Sequence, residues 1–237
     1  ALVGESGSGK SVTALSILQL LPKLRTIYSQ DSSILVNSEE TIGLNNSALR
    51  KIRGNKVSMI FQEPMTSLNP FHKVGNQIME SVMSHKKISK HDARLRAMEL
   101  MQLVEIPDLE RRFDAFPHEL SGGQRQRIMI AMALINEPDL LIADEPTTAL
   151  DVTIQAQILD LMNRIKEQLG MAILFITHDL GLVEKFSDTV SVMKGGKIVE
   201  QGNTKEIFSD PEDDYTKKLL NSEPQPKKDT TLSLIHI

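Results

Sequence analysis

The chain has 237 residues, of which 40% are hydrophobic and 24% charged, and its formal net charge is −4. This composition is typical of one large globular domain, or of a domain with an attached subdomain. The absence of cysteine excludes disulfides and thiolate metal sites. The mildly acidic balance argues against binding to nucleic acid through bulk electrostatics.

The first half of the chain moves from a strand pattern to a long helical pattern. An apolar "ALV" leads into a glycine-rich turn and then into a helix predicted over "KSVTALSILQLL", which Pro22 would end. The β-branched and aromatic run "VSMIF" (57–61) predicts a buried strand. From about Gln77 to Ile135 the pattern is helical throughout, which predicts an inserted helical subdomain.

Strands return in the second half and again alternate with helices. The predicted elements are strands at 140–144 and 172–177, a helix at 154–169 closed by Gly170, a hairpin at 189–202 and short helices at 205–210 and 215–221. The hairpin would turn at Gly195–Gly196. Strands separated by helices predict an α/β fold in which a mainly parallel sheet is covered by helices on both faces.

The domain organisation follows from these patterns. We predict a core formed by residues 1–76 and 137–208, a helical subdomain at 77–136, a C-terminal helix at 209–222 and a disordered linker or cloning scar at 223–237. The chain starts without Met and at once inside a strand pattern, which is typical of a fragment.

The segment "GESGSGKS" (4–11) has the spacing G-x-x-x-x-G-K-[ST] between an apolar strand and a helix. Glycines at these positions let the backbone N–H groups turn inward around an anion, and the helix adds its positive N-terminal end. Lys10 would reach the β- and γ-phosphates of a nucleotide, and the Ser11 hydroxyl would ligate Mg²⁺. The alternative is a flexible Gly/Ser turn, which does not require all eight positions to match.

The run "LLIADE" (140–145) places two carboxylates after a buried strand. Ligands of open α/β sheets bind at this strand edge. Asp144 would hold the Mg²⁺ shell there, and Glu145 would polarise an attacking water. Taken alone, the pattern is also compatible with a solvated strand exit.

The segment "LSGGQ" (120–124) puts two glycines where a helix begins, although glycine costs about 1 kcal/mol per residue in a helix against alanine. Ser121 and Gln124 have the spacing of a capping box. The box does not account for Gly122 and Gly123, because side chains are tolerated at the first two positions of a helix. Bare backbone there would suit an anion that approaches closely. Both interpretations remain open for the motif alone.

The order and spacing of these three motifs resemble those of ABC-type ATPase domains, where they are called Walker A, the signature and Walker B. Further positions match the family. Gln62 matches the Q-loop glutamine, "TTALD" (147–151) matches the D-loop with Asp151 at the dimer seam, and His178 matches the switch histidine.

The resemblance implies ATP and Mg²⁺ as ligands of a P-loop NTPase fold, whose N-terminal antiparallel β subdomain is mostly missing from this chain. It implies catalytic roles for Glu145, His178 and Gln62, and metal ligation by Ser11, Gln62 and Asp144. The implied nucleotide-binding residues are Gly4, Glu5, Ser6, Gly7, Ser8, Gly9, Lys10, Ser11, Val12, Ser121, Gly122, Gly123, Gln124 and Asp151.

Longer stretches are similar to the ATPases of oligopeptide, dipeptide and nickel importers. The ending "DDYTKKLLNSEP" looks most like the N-terminal half of a fused double ATPase of microcin C-type peptide importers. This resemblance implies a second ATPase domain (identical, different or fused), two permease subunits and a periplasmic or extracellular substrate-binding protein as partners, with no nucleic acid. It implies a peripheral location on the cytoplasmic face of the inner membrane.

Two other classes of protein are compatible with an ABC-type domain: a non-transport ATPase of DNA repair or translation, and an inactive nucleotide-binding regulator. A non-transport ATPase of DNA repair would separate the P-loop from the signature by a very long coiled coil, whereas 108 residues lie between Ser11 and Leu120 here. A non-transport ATPase of translation would carry a charged linker between two halves. An inactive regulator would not be expected to keep Lys10, Asp144, Glu145 and His178.

Overall fold

The strands lie in two parts of the chain, residues 2–60 and 140–203, and the long stretch between them contains helices. The computed structural model describes residues 1–62, 67–148 and 150–222. Its strands are β1 (Leu2–Val3), β2 (Leu35–Val36), β3 (Glu39–Glu40), β4 (Val57–Ile60), β5 (Leu140–Asp144), β6 (Ala172–Thr177), β7 (Thr189–Lys194) and β8 (Lys197–Asn203). The main sheet has the order β4-β5-β6-β1-β7-β8, and β2 pairs with β3 in a separate antiparallel ribbon.

The helices fill the connections between these strands. They are α1 (Lys10–Ile17), α2 (Asn46–Ile52), α3 (Val74–Met83), α4 (Lys90–Leu103), α5 (Leu109–Phe113), α6 (Gly122–Leu134), α7 (Val152–Leu169), α8 (Leu180–Phe186), α9 (Thr204–Ser209) and α10 (Asp214–Ser222). Helices α3, α4 and α6 pack against one another. The predicted division into core and subdomain stays a prediction.

The sheet is parallel from β4 through β7, and only β8 runs antiparallel to its neighbour. Parallel pairing brings the carboxyl ends of β1, β4, β5 and β6 to one edge of the sheet. The segments that follow these four strands therefore meet at that edge. They are the segments in which the sequence places its chemistry.

Both faces of the sheet are buried. Along β5, Leu141 and Ala143 pack in one hydrophobic cluster with α6 and α7, whereas Ile142 packs in a second cluster with α1. Side chains alternate between the two faces of a strand, so this division means that helices cover the sheet on both sides. The sheet edge that carries the candidate site is thus packed between helices on both sides.

Local predictions agree with the structure in most elements, but the first helix is shorter than predicted. Strands β5 and β6 have the predicted bounds, and Gly170 ends α7 in the left-handed conformation with φ 63°. Helix α1 ends at Ile17, well before Pro22, and Gln19 has φ 52°. The Arg53 side chain donates to the carbonyls of Leu18 (2.7 Å) and Gln19 (2.5 Å), so a distant side chain binds the carbonyls at the end of the helix.

In the described part of the chain, no helix combines the length and apolar character that crossing a membrane requires. The segment 223–237, predicted to be a linker or scar, lies outside the described residues.

Candidate functional site

Four predicted motifs lie at the same edge of the sheet. The segment 4–11 follows β1, Gln62 follows β4, Glu145 follows β5 and His178 follows β6. The order of the strands makes β4, β5, β6 and β1 consecutive neighbours. Residues separated by more than 170 positions in the sequence are thus brought to one place.

The P-loop backbone requires glycine at particular points. Gly4 has φ 151°, and a Cβ atom added there would lie 2.1 Å from the Met193 carbonyl oxygen of β7. Gly7 has φ 81°, a conformation that side chains disfavour, although the space around it is open. The loop is therefore fixed against β7 at its beginning and turns sharply at its tip.

Lys10 lies inside the loop that precedes it. Its Nζ donates to the carbonyl oxygens of Gly4 (2.7 Å) and Glu5 (3.0 Å), and the residue is only 6% exposed. Burial lowers the pKa of the Lys10 ammonium, and the negative charges of Glu145 and Asp144 act in the opposite direction. The cation is held at the loop, close to both carboxylates.

Asp144 is buried at 4% exposure, and its Oδ1 has no hydrogen-bond partner in the described structure. Burial raises the pKa of its carboxyl, while a hydrogen bond from the Ser11 side chain and the charge of Lys10 lower it. A buried carboxylate oxygen without a partner is costly unless a cation or a water reaches it. This orphaned oxygen beside a serine hydroxyl fits the hard oxygen ligands that Mg²⁺ prefers.

Glu145 forms the centre of a hydrogen-bonded cluster. Its Oε1 lies 3.0 Å from His178 Nδ1, and its Oε2 accepts from Gln62 Nε2 and from the Thr148 hydroxyl, each at 3.0 Å. The residue has φ 47°, a left-handed conformation that is uncommon outside glycine. Such strain often accompanies a functional position.

The electrostatics keep this carboxylate ionised. Burial acts to raise the pKa of Glu145, but hydrogen bonds from His178 and Thr148 and the nearby charges of His178 and Lys10 outweigh it. The net pKa of Glu145 lies below its ordinary value. An ionised carboxylate in this place can accept a hydrogen bond, or a proton, from a water molecule.

The signature segment lies at the beginning of α6. Gln124 N–H donates to the Ser121 hydroxyl (3.2 Å), and Ser121 N–H donates to Gln124 Oε1 (3.1 Å), so the predicted capping box is formed. In the residues that the structure describes, no hydrogen bond or ion pair joins 121–124 to the P-loop of the same chain. The structure brings together Lys10, Asp144, Glu145, Gln62 and His178 but leaves the signature apart.

Comparison with known proteins agrees with this arrangement. A family model for ABC transporters matches residues 1–148, which is more than half of the chain. The chain belongs to the ABC transporter family. This confirms the family predicted from the motifs.

Two curated relatives show how much of an ABC protein this chain represents. It is 58% identical over 225 residues to the peptidoglycan transport ATP-binding protein YejF of Agrobacterium fabrum, covering 95% of this chain and 41% of that protein. It is 54% identical over 224 residues to the oligopeptide transport ATP-binding protein OppD of Bacillus subtilis, covering 94% of this chain and 62% of that protein. The chain spans less than two thirds of either relative.

A solved structure extends the likeness to three dimensions. It is the dimeric, post-hydrolysis state of the ATP-binding cassette MJ0796 bound to ADP and Pi. That chain is 28% identical to this one with a TM-score of 0.73, and the match covers 86% of this chain and 84% of the other. The predicted α/β fold, a P-loop NTPase sheet with added helices, is thereby confirmed.

The two glycines of the ABC signature differ in their surroundings. A Cβ on Gly123 would lie 2.9 Å from Ile154 Cγ2 of α7, so packing within the chain requires a small residue there. A Cβ on Gly122 would meet only Leu150 Cδ2 at 3.5 Å, an ordinary contact. From the sequence, an approaching anion was one possible reason for both glycines. Within one chain, packing explains Gly123, and only Gly122 still lacks a reason in the fold.

We therefore expect opposite effects on stability from two neighbouring substitutions. Gly123→Ala should lower the free energy of unfolding by about 1 kcal/mol, because overpacking against Ile154 exceeds the gain in helix propensity. Gly122→Ala should leave it unchanged or raise it, and serves as the matched control. Urea denaturation of both variants tests this. Equal midpoints would contradict the packing explanation.

Other predicted residues of this ABC domain have exposed positions. Asp151 begins α7, where its carboxylate accepts from Ile154 N–H at 2.9 Å, so it caps a helix in addition to any role at an interface. Val12 is 55% exposed beside the P-loop. Of the D-loop, Ala149 lies outside the described residues.

Three contacts of the site were not predicted from the sequence. Thr148 donates to Glu145, the Gly196 N–H donates to the Ser8 carbonyl at 2.8 Å, and the Tyr215 hydroxyl accepts from the Glu5 N–H at 3.1 Å. Thr148 lies three residues after Glu145, so proximity in the sequence could have indicated it. The other two join the P-loop to residues far along the chain, and no local pattern indicates them.

Proposed function

We propose that this chain is the ATP-binding and ATP-hydrolysing subunit of an ABC importer for peptides or peptide-like compounds. The observation that carries the proposal is the cluster in which the Glu145 carboxylate contacts Gln62 and His178 beside the buried cation of Lys10. A carboxylate, a cation and a glycine-rich loop that leads into a helix N-terminus are the parts that phosphoryl transfer needs.

ATP is the substrate, and the P-loop holds its phosphates. The loop of residues 4–11 and the N-terminus of α1 would surround the β- and γ-phosphates, and Lys10 adds a positive charge. The binding of ADP and Pi by the cassette MJ0796 supports this assignment. Because Lys10 is already partly desolvated in the loop, its attraction to phosphate is stronger than that of a surface lysine.

Ser11, Gln62 and Asp144 would hold Mg²⁺, which neutralises developing charge on the phosphates when it is bound. The orphaned Oδ1 of Asp144 supports this ligand set. Gln62 donates to Glu145 through Nε2, which leaves its amide oxygen available as a ligand.

Hydrolysis depends on a positioned water. Glu145 orients the water and accepts its proton while the water oxygen bonds to the γ-phosphorus. The bond from that phosphorus to the bridging oxygen breaks, which gives ADP and phosphate. His178, hydrogen-bonded to Glu145, aligns the carboxylate and faces the γ-phosphate. The rate enhancement comes from positioning and fixed charge.

A second ATPase domain, in a separate chain or fused, completes the site. The signature residues 121–124 cap the γ-phosphate held by that other domain, with Gly122 allowing close approach of the backbone. The absence of described contacts between these residues and their own P-loop supports action across an interface, as does the dimeric form of MJ0796. Asp151 would lie at this interface, and Val12 would lie beside the nucleotide.

The transport partners are two permease subunits and a periplasmic or extracellular substrate-binding protein. The chain would be bound peripherally to the cytoplasmic face of the inner membrane. The names of YejF and OppD as transport ATP-binding proteins support this. The segment 63–71 would pass the motion to the permeases. Residues 63–66 lie outside the described part, and Phe71 is 85% exposed.

A substitution at the signature tests the shared site. Ser121→Arg should leave Mg-ATP binding by the chain within about 2-fold, because its own P-loop is intact, and should lower phosphate release by about 100-fold or more. Mg-ATP affinity and phosphate release are measured on the same preparation.

Ser89→Arg is the matched control, since Ser89 caps α4 by accepting from Asp92 N–H at 3.1 Å. Both variants lose a serine cap, but only Ser121→Arg should lose hydrolysis. Normal hydrolysis by Ser121→Arg would overturn the shared site.

A further inference from the structure

The C-terminal helix contacts the P-loop directly. The Tyr215 hydroxyl of α10 accepts from the Glu5 N–H at 3.1 Å, across 210 positions of sequence, and Tyr215 is only 7% exposed. The carbonyl on the other side of the same peptide bond, that of Gly4, accepts from Lys10 Nζ at 2.7 Å. One peptide unit is thus held at both ends, by Lys10 on one side and Tyr215 on the other.

Tyr215 is itself held firmly. The Glu200 carboxylate of β8 accepts from the N–H groups of Glu212 (2.7 Å) and Asp213 (3.2 Å), just before α10 begins. The Asp213 side chain accepts from the Tyr215 N–H at 2.8 Å, and Lys194 Nζ lies 4.7 Å from the centre of the Tyr215 ring. These contacts fix both the backbone and the ring, so the hydroxyl has a defined position.

The same C-terminal region supports the loop at a second point. In the turn between β7 and β8, the Gly196 N–H donates to the Ser8 carbonyl at 2.8 Å. The loop is therefore supported at Glu5 and at Ser8 by elements from the C-terminal part of the chain. Neither contact involves Gln62, Glu145 or His178, the residues assigned to the chemical step.

We propose that Tyr215 is a positioning residue for the P-loop (residues 4–11), so that α10 contributes to the affinity for ATP. The inference rests on the proposed function in one respect, that the P-loop binds ATP. The hydroxyl fixes the plane of the Gly4–Glu5 peptide, and this plane sets where the Gly4 carbonyl holds Lys10. Without the hydroxyl the peptide can rotate, and the loop must be ordered again when ATP binds.

Tyr215→Phe removes only the hydroxyl and keeps the buried ring. We expect the Kd for Mg-ATP, and with it KM, to rise roughly 3- to 10-fold, the effect of losing one hydrogen bond that orders the site. The kcat should stay within about 2-fold, because the groups around Glu145 are untouched. Tyr28→Phe is the matched control. Tyr28 is the chain's only other tyrosine, and its hydroxyl accepts from the Gln19 side chain at 3.1 Å.

Hydrogen exchange of the Glu5 amide can be measured without ATP, so it tests the positioning role independently of nucleotide binding. In the nucleotide-free chain it should become faster in Tyr215→Phe and stay unchanged in Tyr28→Phe. Glu200→Ala should accelerate it as well by releasing the start of α10, whereas Glu206→Ala, at an exposed position on α9, should not.

The outcomes separate this inference from the proposed function. Parent-like ATP affinity and parent-like Glu5 exchange in Tyr215→Phe would overturn the positioning role while leaving the ATPase assignment intact. A parent chain that binds no Mg-ATP would overturn the ATPase assignment. In that case exchange at Glu5 decides the inference alone: faster exchange in Tyr215→Phe supports it, and unchanged exchange overturns it.

Discussion

Replacing Glu145 with glutamine is expected to leave ATP binding intact and to lower the hydrolysis rate by about 100-fold or more, the usual contribution of a general base. Glutamine has nearly the same shape and can still contact Gln62 and His178, but it cannot take a proton from water. Because a negative charge beside the phosphates is removed, ATP should bind at least as tightly as to the parent. Phosphate release and equilibrium binding of Mg-ATP are the two measurements.

Glu137→Gln is the matched control for this substitution. Glu137 also has a left-handed backbone, with φ 57°, and its carboxylate also accepts a hydrogen bond, from Arg96. It lies outside the cluster around Glu145. Hydrolysis by Glu137→Gln should equal that of the parent, and equal rates for Glu145→Gln and the parent would remove Glu145 as the base.

Lys10→Ala is expected to weaken Mg-ATP binding by about 100-fold or more, because a desolvated cation that pairs with phosphate is lost. The loop also loses the donor that joins the carbonyls of Gly4 and Glu5. Isothermal titration of the parent and the variant with Mg-ATP measures the change. Circular dichroism of the free variant establishes that the fold is kept.

A surface lysine provides the control for Lys10→Ala. Lys56 pairs with Glu39 at 3.4 Å, and both side chains are well exposed, so the pair contributes little to stability. Lys56→Ala should bind Mg-ATP like the parent. An unchanged affinity of Lys10→Ala for Mg-ATP would contradict the assignment of residues 4–11 as the P-loop that binds the nucleotide.

Much of the fold could be predicted because its signals are local. The bounds of β5 and β6 follow from continuous apolar runs, and Gly170 marks the end of α7 by its conformation. The box of Ser121 and Gln124 needs only a spacing of three residues. Gln62 and His178 were predicted from the resemblance to ABC-type ATPases, and the parallel strands, which end at one edge of the sheet, explain why both meet Glu145.

What the sequence did not predict depends on contacts between distant residues. Helix α1 ends before Pro22, and the side chain of Arg53, which follows α2, binds the carbonyl of Leu18 at that end. Gly123 must be small because Ile154 of α7 lies against it. The support of the P-loop by Tyr215 spans nearly the whole chain. Such contacts depend on how distant segments pack in three dimensions, so neither the composition nor the periodicity of the sequence predicts them.

A catalytic site that is shared between two ATPase domains should be restored when two inactive variants are mixed. The Lys10→Ala variant keeps an intact signature but has a defective P-loop. The Ser121→Arg variant keeps an intact P-loop but has a defective signature. Each alone should be inactive. If two copies of the chain can form the pair, random mixing in equal amounts should restore phosphate release to about a quarter of the parent rate, since half of the pairs would hold one complete site of two. A mixture as inactive as its components would contradict a site shared between two copies of this chain.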